Sequence, residues 1–335
     1  MQSKVNTNLV SAEVAGLWST YTVDSLGICM LKHFLNRVED DDVSCVLEKA
    51  VNTCSEHLQV IKDKFKQDGI TIPKGFTEED VNLRAPRLFT DSFYLFYLLS
   101  MAHFGMNEYS LILSHSSRRD IRDFFSNCHS ESIELFNLTV DTLEQKGIYM
   151  RAPRVEFSKE ADFIDKQGVF SAGWFGKKRG LMAREITAIF ASLRQNIIGG
   201  AMITGFAQVA QSEKVRDYLF RGRDIAWNKV EKLNSFFIDE KIPAPSTSDS
   251  FVTDSTFPTF SDKLMLNMTI MMFGAGIQQD GIGSANVMRH DLHSYYSSSV
   301  LETVRYEEDG LDILFKNKWF EQPPIVVEAR NLVKS

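Results

Sequence analysis

The sequence predicts an all-α protein built from two tandem four-helix bundles. Three observations predict this fold: a duplication within the chain, apolar residues at helical spacing, and a long connection in each copy between its second and third helices. The 335 residues are 44% hydrophobic, which is enough for two cores. The net charge of −7 comes without a dense Lys/Arg stripe, so nucleic acid is not an expected partner.

The duplication is visible when the second half of the chain is aligned with the first at an offset of roughly 171 residues. SAEVAGLW at 11–18 aligns with AREITAIF at 183–190, and GITIPKGF at 69–76 aligns with EKIPAPST at 240–247. One supersecondary unit is therefore used twice. We predict the following domain boundaries: a first bundle over 8–155, a linker over 156–182 and a second bundle over 183–328.

Each copy is predicted to form four long helices. The short turn around Asp40 makes the first two helices antiparallel. In the first helix, apolar residues and one acid alternate at spacings of four and three, which is typical of a bundle seam: Val10, Val14, Leu17, Tyr21, Asp24, Ile28, Leu31 and Leu35. In the second helix the same spacing connects Leu47, Ala50, Cys54, His57 and Ile61.

A long, proline-containing segment, Gly69–Phe89, separates helices 2 and 3, and its counterpart is 241–260. About 19 extended residues span more than about 50 Å, whereas a helix of about 29 residues is about 43 Å long. The segment can therefore cross the full bundle, and two hairpins joined by one long crossover are the ferritin-like arrangement. Thr90-Asp91 and Ser261-Asp262 follow the crossovers and are expected to cap the third helices.

The linker and the N-terminus bear on location and partners. MQSKVNTNLV lacks the apolar segment of a secretory signal. The four cysteines form no CxxC pair and lie inside helical patterns of the first half, which favours reduced, buried thiols in the cytosol over a disulfide framework. Neither long apolar stretch, Phe93–Met106 or Leu264–Ile277, reaches the length of a transmembrane segment.

In the linker we expect the aromatic residues to dock on a bundle and the basic run to be solvated: Phe170, Trp174, Phe175, Lys177, Lys178 and Arg179.

Four strings resemble a family of tandem-repeat proteins from spore-forming bacteria: PKGFTEEDVNLRAPRLFTDSFYL, GWFGKKRGL, PTFSDKLM and WFEQPP. The resemblance covers residues 8–328. Members are mostly catalogued as a domain of unknown function, and some are labelled as candidate spore coat proteins. The resemblance implies a ferritin-like fold and a spore-forming source, and no established reaction. Together with the missing secretory signal, it leads us to expect a cytoplasmic or spore-associated location.

Two departures from the family pattern concern a metal site. LNMTIMM follows FSDKLM in the second copy, where a histidine is expected in relatives, and Lys229 stands where the first copy has His57. If the family has a metal site in its second copy, the resemblance implies that this chain has lost it.

The candidate site residues lie in the first bundle. Di-iron enzymes of the ferritin-like class use Glu-x-x-His pairs, and no such pair occurs in this chain, so oxygen-activating di-iron chemistry is not expected. A rise of about 1.5 Å per residue puts three histidines at one height, and two carboxylates recur in both copies. The predicted ligands of one Fe, Zn or Mn ion are His57, His103, His129, Glu131 and Glu13.

Plainer interpretations remain open for the same residues. Buried histidines are usually satisfied by a carbonyl or carboxylate. Glu13 lies in an early turn, where a carboxylate serves the helix dipole. Asp24 on the first seam could bond only a neighbouring Tyr or Ser.

Three functions are compatible with these observations. We expect a non-catalytic structural or interaction protein, spore-associated by its family resemblance, with itself or other spore or cytosolic proteins as partners. The alternative is a metal-binding protein with a single His/carboxylate site in the first bundle. The third is a carrier of apolar ligands, suggested by Phe- and Met-rich third helices. Apart from the metal ligands, no catalytic or cofactor-binding residue is predicted.

Overall fold

Long α-helices make up most of the described chain. The computed structural model describes residues 8–156, 158–160, 163, 179–245 and 250–325. Over these residues the backbone forms no β-strand beyond isolated bridges. The predicted all-α class, with two repeats of four helices, is confirmed. The helices are α1 (Ser11–Leu35), α2 (Asp41–Asp68), α3 (Asp91–His115), α4 (Arg119–Gln145), α5 (Ala183–Val209), α6 (Glu213–Asp239), α7 (Asp262–Asn286) and α8 (His290–Lys316).

Each repeat has the predicted long connection between its second and third helices. The first begins where α2 ends at Gly69, whose φ of 66° lies in the left-handed region that favours glycine. The backbone N–H of Ile70 then donates to the Phe65 carbonyl at 2.9 Å and closes the helix end. The connection continues through a 3₁₀ turn, Glu78–Asp80, capped by Thr77. The sequence-based prediction of a crossover at this place is thus met.

The starts of the third helices were predicted to be capped. Ser261 does so, because its Oγ accepts a hydrogen bond from the Leu264 N–H at 3.0 Å. Thr90 caps more weakly: Phe93 N lies 3.5 Å from its Oγ1, which itself donates to the Ser250 carbonyl at 3.0 Å. The two copies therefore cap the third helix from equivalent positions, but the hydrogen bond to the helix is shorter for Ser261 than for Thr90.

Internal contacts divide the chain into two units. Among the described residues, the first contains 8–84, Tyr97–Thr142 and 318–325. The second contains Ala85–Phe96 and Leu143–Asn317. The domain boundaries predicted from the sequence stay a prediction. The linker residues Phe170, Trp174, Phe175, Lys177 and Lys178, for which docking or solvation was predicted, lie outside the described residues. Arg179 was predicted to be solvated, but it is partly buried and pairs with the Glu185 carboxylate at 2.7 Å.

The prediction that the thiols are buried is met by Cys29, Cys54 and Cys128 and is wrong for Cys45, which is exposed.

In the second unit, the end of the first crossover pairs with the second crossover. Phe89 and Val252 form an antiparallel bridge, and the Thr90 N–H donates to the Phe251 carbonyl at 3.1 Å. The fully buried Phe89 ring lies against Gly205 of α5. A Cβ at that position would approach the ring to 2.5 Å, so glycine is required there.

A buried carboxylate joins two helix N-termini in each repeat. Glu13 accepts from Val10 N at 2.8 Å at the start of α1, and from Ser117 N and Arg118 N at 2.8 and 2.7 Å at the start of α4. Glu185 does the same in the second repeat, since it accepts from the backbone N–H groups of Met182, Met288 and Arg289. Helix N-termini carry unpaired donors and partial positive charge, so a carboxylate stabilises both.

One described helix is long and apolar enough to cross a membrane. It is α5, and 67% of its most apolar 18-residue window is buried inside the protein. A core helix of a globular protein passes the same test, so this is weak evidence for a membrane span.

Removing either buried carboxylate is expected to destabilise the protein. Glu13→Ala takes the acceptor from three backbone N–H groups and from the Ser117 hydroxyl, and one orphaned buried donor costs about 1–3 kcal/mol. We expect the free energy of unfolding from urea denaturation to fall by at least about 2 kcal/mol, and Glu185→Ala to behave alike. Glu48→Ala, at an exposed position on α2, is the control and should cost less than about 0.5 kcal/mol. An equal loss in all three variants would contradict the helix-joining role.

The Glu13 carboxylate should also make stability depend on pH. Burial by itself would raise its pKa, but the N–H donors of Arg118, Val10 and Ser117 lower the pKa below the ordinary value of 4.5. Since the unfolded chain then takes up the proton first, the stabilisation is complete above about pH 4.5 and is lost as the pH falls through the folded-state pKa. The difference in melting temperature between wild type and Glu13→Gln should therefore shrink below about pH 4.5. A difference that stays constant down to about pH 3 would contradict this.

Candidate metal centre in the first repeat

His57 of α2 lies buried between two carboxylates. Its Nδ1 is 3.0 Å from the Asp24 Oδ2 of α1, and its Nε2 is 2.7 Å from the Glu131 Oε2 of α4. Asp24 and His57 are 2% and 5% exposed, whereas Glu131 is partly exposed. Helical spacing explains the arrangement, because Asp24 and His57 both stand on the apolar seams that the sequence predicted.

Two buried thiols complete the group. Cys128 precedes Glu131 by one helical turn on α4, and its thiol contacts the His57 ring. Cys54 precedes His57 by one turn on α2 and hydrogen-bonds to the Asp24 carboxylate. Three ligand atoms, the His57 ring nitrogen, the Cys128 Sγ and a Glu131 carboxylate oxygen, lie within 4.8 Å of one another. Over the residues that the structure describes, this is the one group of such atoms.

Aromatic rings and a small cavity surround the imidazole. The rings of Tyr109 and Phe124 approach His57 edge-on, with centroids at 6.0 and 5.7 Å. A cavity of about 80 Å³ adjoins Asp24, His57 and Glu131. A water needs roughly 10–15 Å³ of such space, so the cavity has room for an ion with water ligands.

Burial and hydrogen bonds within the site shift the pKa values of its ionisable groups. Burial opposes a charge on His57, but its hydrogen bonds to Asp24, Cys128 and Glu131 raise its pKa to about 12. Burial raises the pKa of Asp24, against the effect of its hydrogen bond with His57. Burial also raises the pKa values of the Cys54 and Cys128 thiols. We assign the shared proton to His57, because both of its nitrogens face carboxylates.

This arrangement fits a transition-metal ion. One nitrogen, one sulfur and one carboxylate oxygen suit Zn²⁺ or Fe²⁺. Ligand atoms around a tetrahedral ion are about 3.5 Å apart, so only small rotations of side chains that already meet are needed. With the ion on Nε2, the Nδ1–H would donate to Asp24, which is the carboxylate–histidine–metal arrangement that orients ligand imidazoles.

The structure brings together two of the five ligands predicted from the sequence, His57 and Glu131. The half-buried His103 and His129 are outside the group and do not line the cavity. Residues at equal height along a bundle can point in different directions around their helices. Ala102 and Cys128 face the site, so His103 and His129, the next residues on α3 and α4, are turned about 100° away from it. Glu13 instead joins the starts of α1 and α4.

Asp24 and Cys128 belong to the site but were not among the predicted ligands. The sequence carried a signal for each. Asp24 is the one charged residue on an otherwise apolar seam, and Cys128 is three residues before Glu131 on one helix face. One interpretation left open by the sequence paired Asp24 with a neighbouring Tyr or Ser, but the structure pairs it with His57.

The fold and the repeats can now be compared with known proteins. The model of the family described as "Protein of unknown function (DUF3231)" matches residues 2–160 and again residues 169–332. The chain belongs to this family. One DUF3231 match for each repeat confirms both the resemblance and the duplication predicted from the sequence.

Two similar proteins come from Bacillus species. "Uncharacterized protein YvdQ" of Bacillus subtilis (strain 168) is 24% identical over 145 residues, which are 42% of this DUF3231 chain and 85% of YvdQ. A crystal structure of a "putative spore coat protein" from Bacillus halodurans C-125 is 18% identical and covers 46% of this chain and 98% of its own, with a TM-score of 0.41. That TM-score is too low to carry an argument about function.

The charge on His57 can be tested in the metal-free DUF3231 protein. We expect the His57 imidazole to stay doubly protonated at about pH 8, and Asp24→Asn to lower its pKa. His33 is an internal reference, because burial, together with Arg37, lowers its pKa to about 4. The measurement is a pH titration of the ¹⁵N imidazole NMR signals. A wild-type His57 that titrates near its ordinary value would contradict the assignment of the proton.

Proposed function

We propose that this protein binds one transition-metal ion in its first repeat, with His57, Cys128 and Glu131 as ligands. The observation that carries the proposal is the convergence of these three ligand atoms within 4.8 Å of one another. Asp24 acts as the residue that orients the imidazole. The adjoining cavity leaves space for water or another small ligand in the remaining coordination position.

The donor set narrows the choice of metal. Fe, Zn and Mn were predicted from histidine and carboxylate ligands alone. A thiolate shifts the preference toward Zn²⁺ or Fe²⁺, since Mn²⁺ favours oxygen ligands. Binding must displace the protons of the His57 Nε2 and the Cys128 thiol, so affinity should fall in acid.

The proposed site binds one ion, whereas oxygen-activating di-iron enzymes bind two. Their chemistry needs Glu-x-x-His pairs on two helices, and the sequence has none. The site therefore suits holding or sensing an ion. This function deepens the metal-binding alternative predicted from the sequence.

The structural or interaction role, which the sequence analysis ranked first, is the second candidate. It is favoured by the second repeat, where Lys229 replaces His57 and no equivalent ligand group occurs among the described residues. Its spore association, its partners among spore or cytosolic proteins and its cytoplasmic location remain predictions. A folded chain that takes up no ion would favour this role over metal binding.

Metal analysis of the full-length chain tests the proposal. After chelation and reloading with Zn²⁺ or Co²⁺, we expect one ion per chain by mass spectrometry of the elements, and a sulfur-to-cobalt charge-transfer band with Co²⁺. Cys128→Ser should abolish the band, and His57→Ala should lose the ion. Asp24→Asn should weaken affinity about tenfold or more, because it removes the orienting carboxylate.

The matched control is His129→Ala, which removes the residue next to Cys128 on α4. It should keep one ion per chain and the full cobalt band. Absence of a stoichiometric ion from natively helical wild type would overturn the proposal. Equal loss in His129→Ala and His57→Ala would overturn the ligand assignment.

A further inference from the structure

The two repeats place residues of different chemistry at matching positions. His57 lies sixteen residues after the start of α2, and Lys229 lies sixteen residues after the start of α6. On the fourth helices, Ser299 of α8 matches Cys128 of α4, both nine residues after the helix start. Glu302 matches Glu131, twelve residues after the start, so one predicted ligand is retained in the second repeat.

The Lys229 ammonium is enclosed by oxygen atoms. Its Nζ donates to the Thr303 Oγ1 at 2.6 Å and to the Ser299 carbonyl at 3.5 Å, and it lies 3.8 Å from the Asp280 Oδ2. Lys229 and Asp280 are 6% and 3% exposed. Asp280 also accepts from the hydroxyls of Ser299 and Ser192. A buried charge needs a partner and hydrogen bonds, and this arrangement supplies both.

The buried carboxylate lies on a different helix in each repeat. In the first repeat Asp24 of α1 faces the cation, and its counterpart on α5 is the uncharged Asn196. In the second repeat the acid is Asp280 of α7, at the position of Tyr109. Each repeat therefore holds one buried carboxylate beside the cationic residue of its second helix.

We propose that the Lys229 ammonium takes, in the second repeat, the place that the metal ion takes in the first. The second repeat then has the framework of a metal site, but the Lys229 ammonium occupies the position of the ion. It becomes a working site for Zn²⁺ or Co²⁺ when Lys229 and Ser299 are changed to the ligand residues of the first repeat. This inference rests on the proposed function of the first repeat.

The surroundings of Lys229 favour uptake of an ion once the ammonium is removed. Asp280 would be left as a buried carboxylate without a cation, with only hydroxyl donors such as Ser192, and this favours uptake of a cation. Glu302 already stands at the ligand position. A groove of about 650 Å³ between α6 and α8 is lined by Lys229, Ser299 and Glu302, and it supplies an entry path.

A gain of metal binding tests the inference. The double variant Lys229→His/Ser299→Cys, as full-length chain reloaded with Zn²⁺ or Co²⁺, should bind two ions where wild type binds one, and its cobalt–thiolate band should double. Lys229→Gln/Ser299→Ala is the matched control and should keep one ion. Adding Asn196→Asp to the double variant should tighten the second site about tenfold or more.

The reciprocal variant keeps the test decisive if the double variant does not fold. His57→Lys should place an ammonium in the first site, bind no ion and melt at a temperature that chelator does not change. The melting temperature of metal-loaded wild type should fall on chelation.

The outcomes separate the two proposals. One ion in both the wild type and a natively helical double variant overturns the inference and leaves the proposed function standing. No ion in wild type but one in the double variant overturns the proposed function of the first repeat alone. A His57→Lys variant that still binds an ion overturns the inference, because the ammonium then does not take the place of the metal.

Discussion

A charge buried in a helical bundle must be compensated within its own layer, and this requirement organises the interior of both repeats. Asp24 is 2% exposed, and such a carboxylate persists only beside a cation or a hydrogen-bond donor. His57 provides both, and its second nitrogen is thereby turned toward Glu131. This pairing fixes the orientation of the imidazole, and the geometry that would suit a metal ion follows from it. In the second repeat the same requirement is met by Lys229 and Asp280.

The two repeats show which features of a duplicated bundle are constrained and which can change. Glu13 and Glu185 are the same residue type and have the same role, which is to accept hydrogen bonds from the N–H groups at two helix starts. This role is constrained because every helix start leaves unpaired donors. The buried cation positions differ in residue type, because either a protonated imidazole or an ammonium can balance a nearby acid. The interior can therefore diverge chemically while helix lengths and crossovers stay nearly identical.

Most of the fold could be predicted from the sequence, and about half of the candidate site. Helix number, the crossovers and the Ser261 cap follow from local spacing and turn chemistry, which act over a few residues. The site depends on direction around each helix, and α4 is apolar on too many faces for the sequence to say whether Cys128 or His129 points inward. Pairing of Asp24 with His57 depends on packing between helices, which spacing within one helix does not determine.

The assignment of Ala85–Phe96 to the second unit has a consequence for how the chain can be divided. A fragment that ends in the linker would keep Phe89 but lose Val252 and Gly205, the surface that covers its ring. It would also lose Glu321, whose carboxylate accepts from the backbone N–H groups of Lys74 and Gly75. A chain that consists of the first repeat alone would therefore need other residues to cover the Phe89 ring and to accept the hydrogen bonds of Lys74 and Gly75.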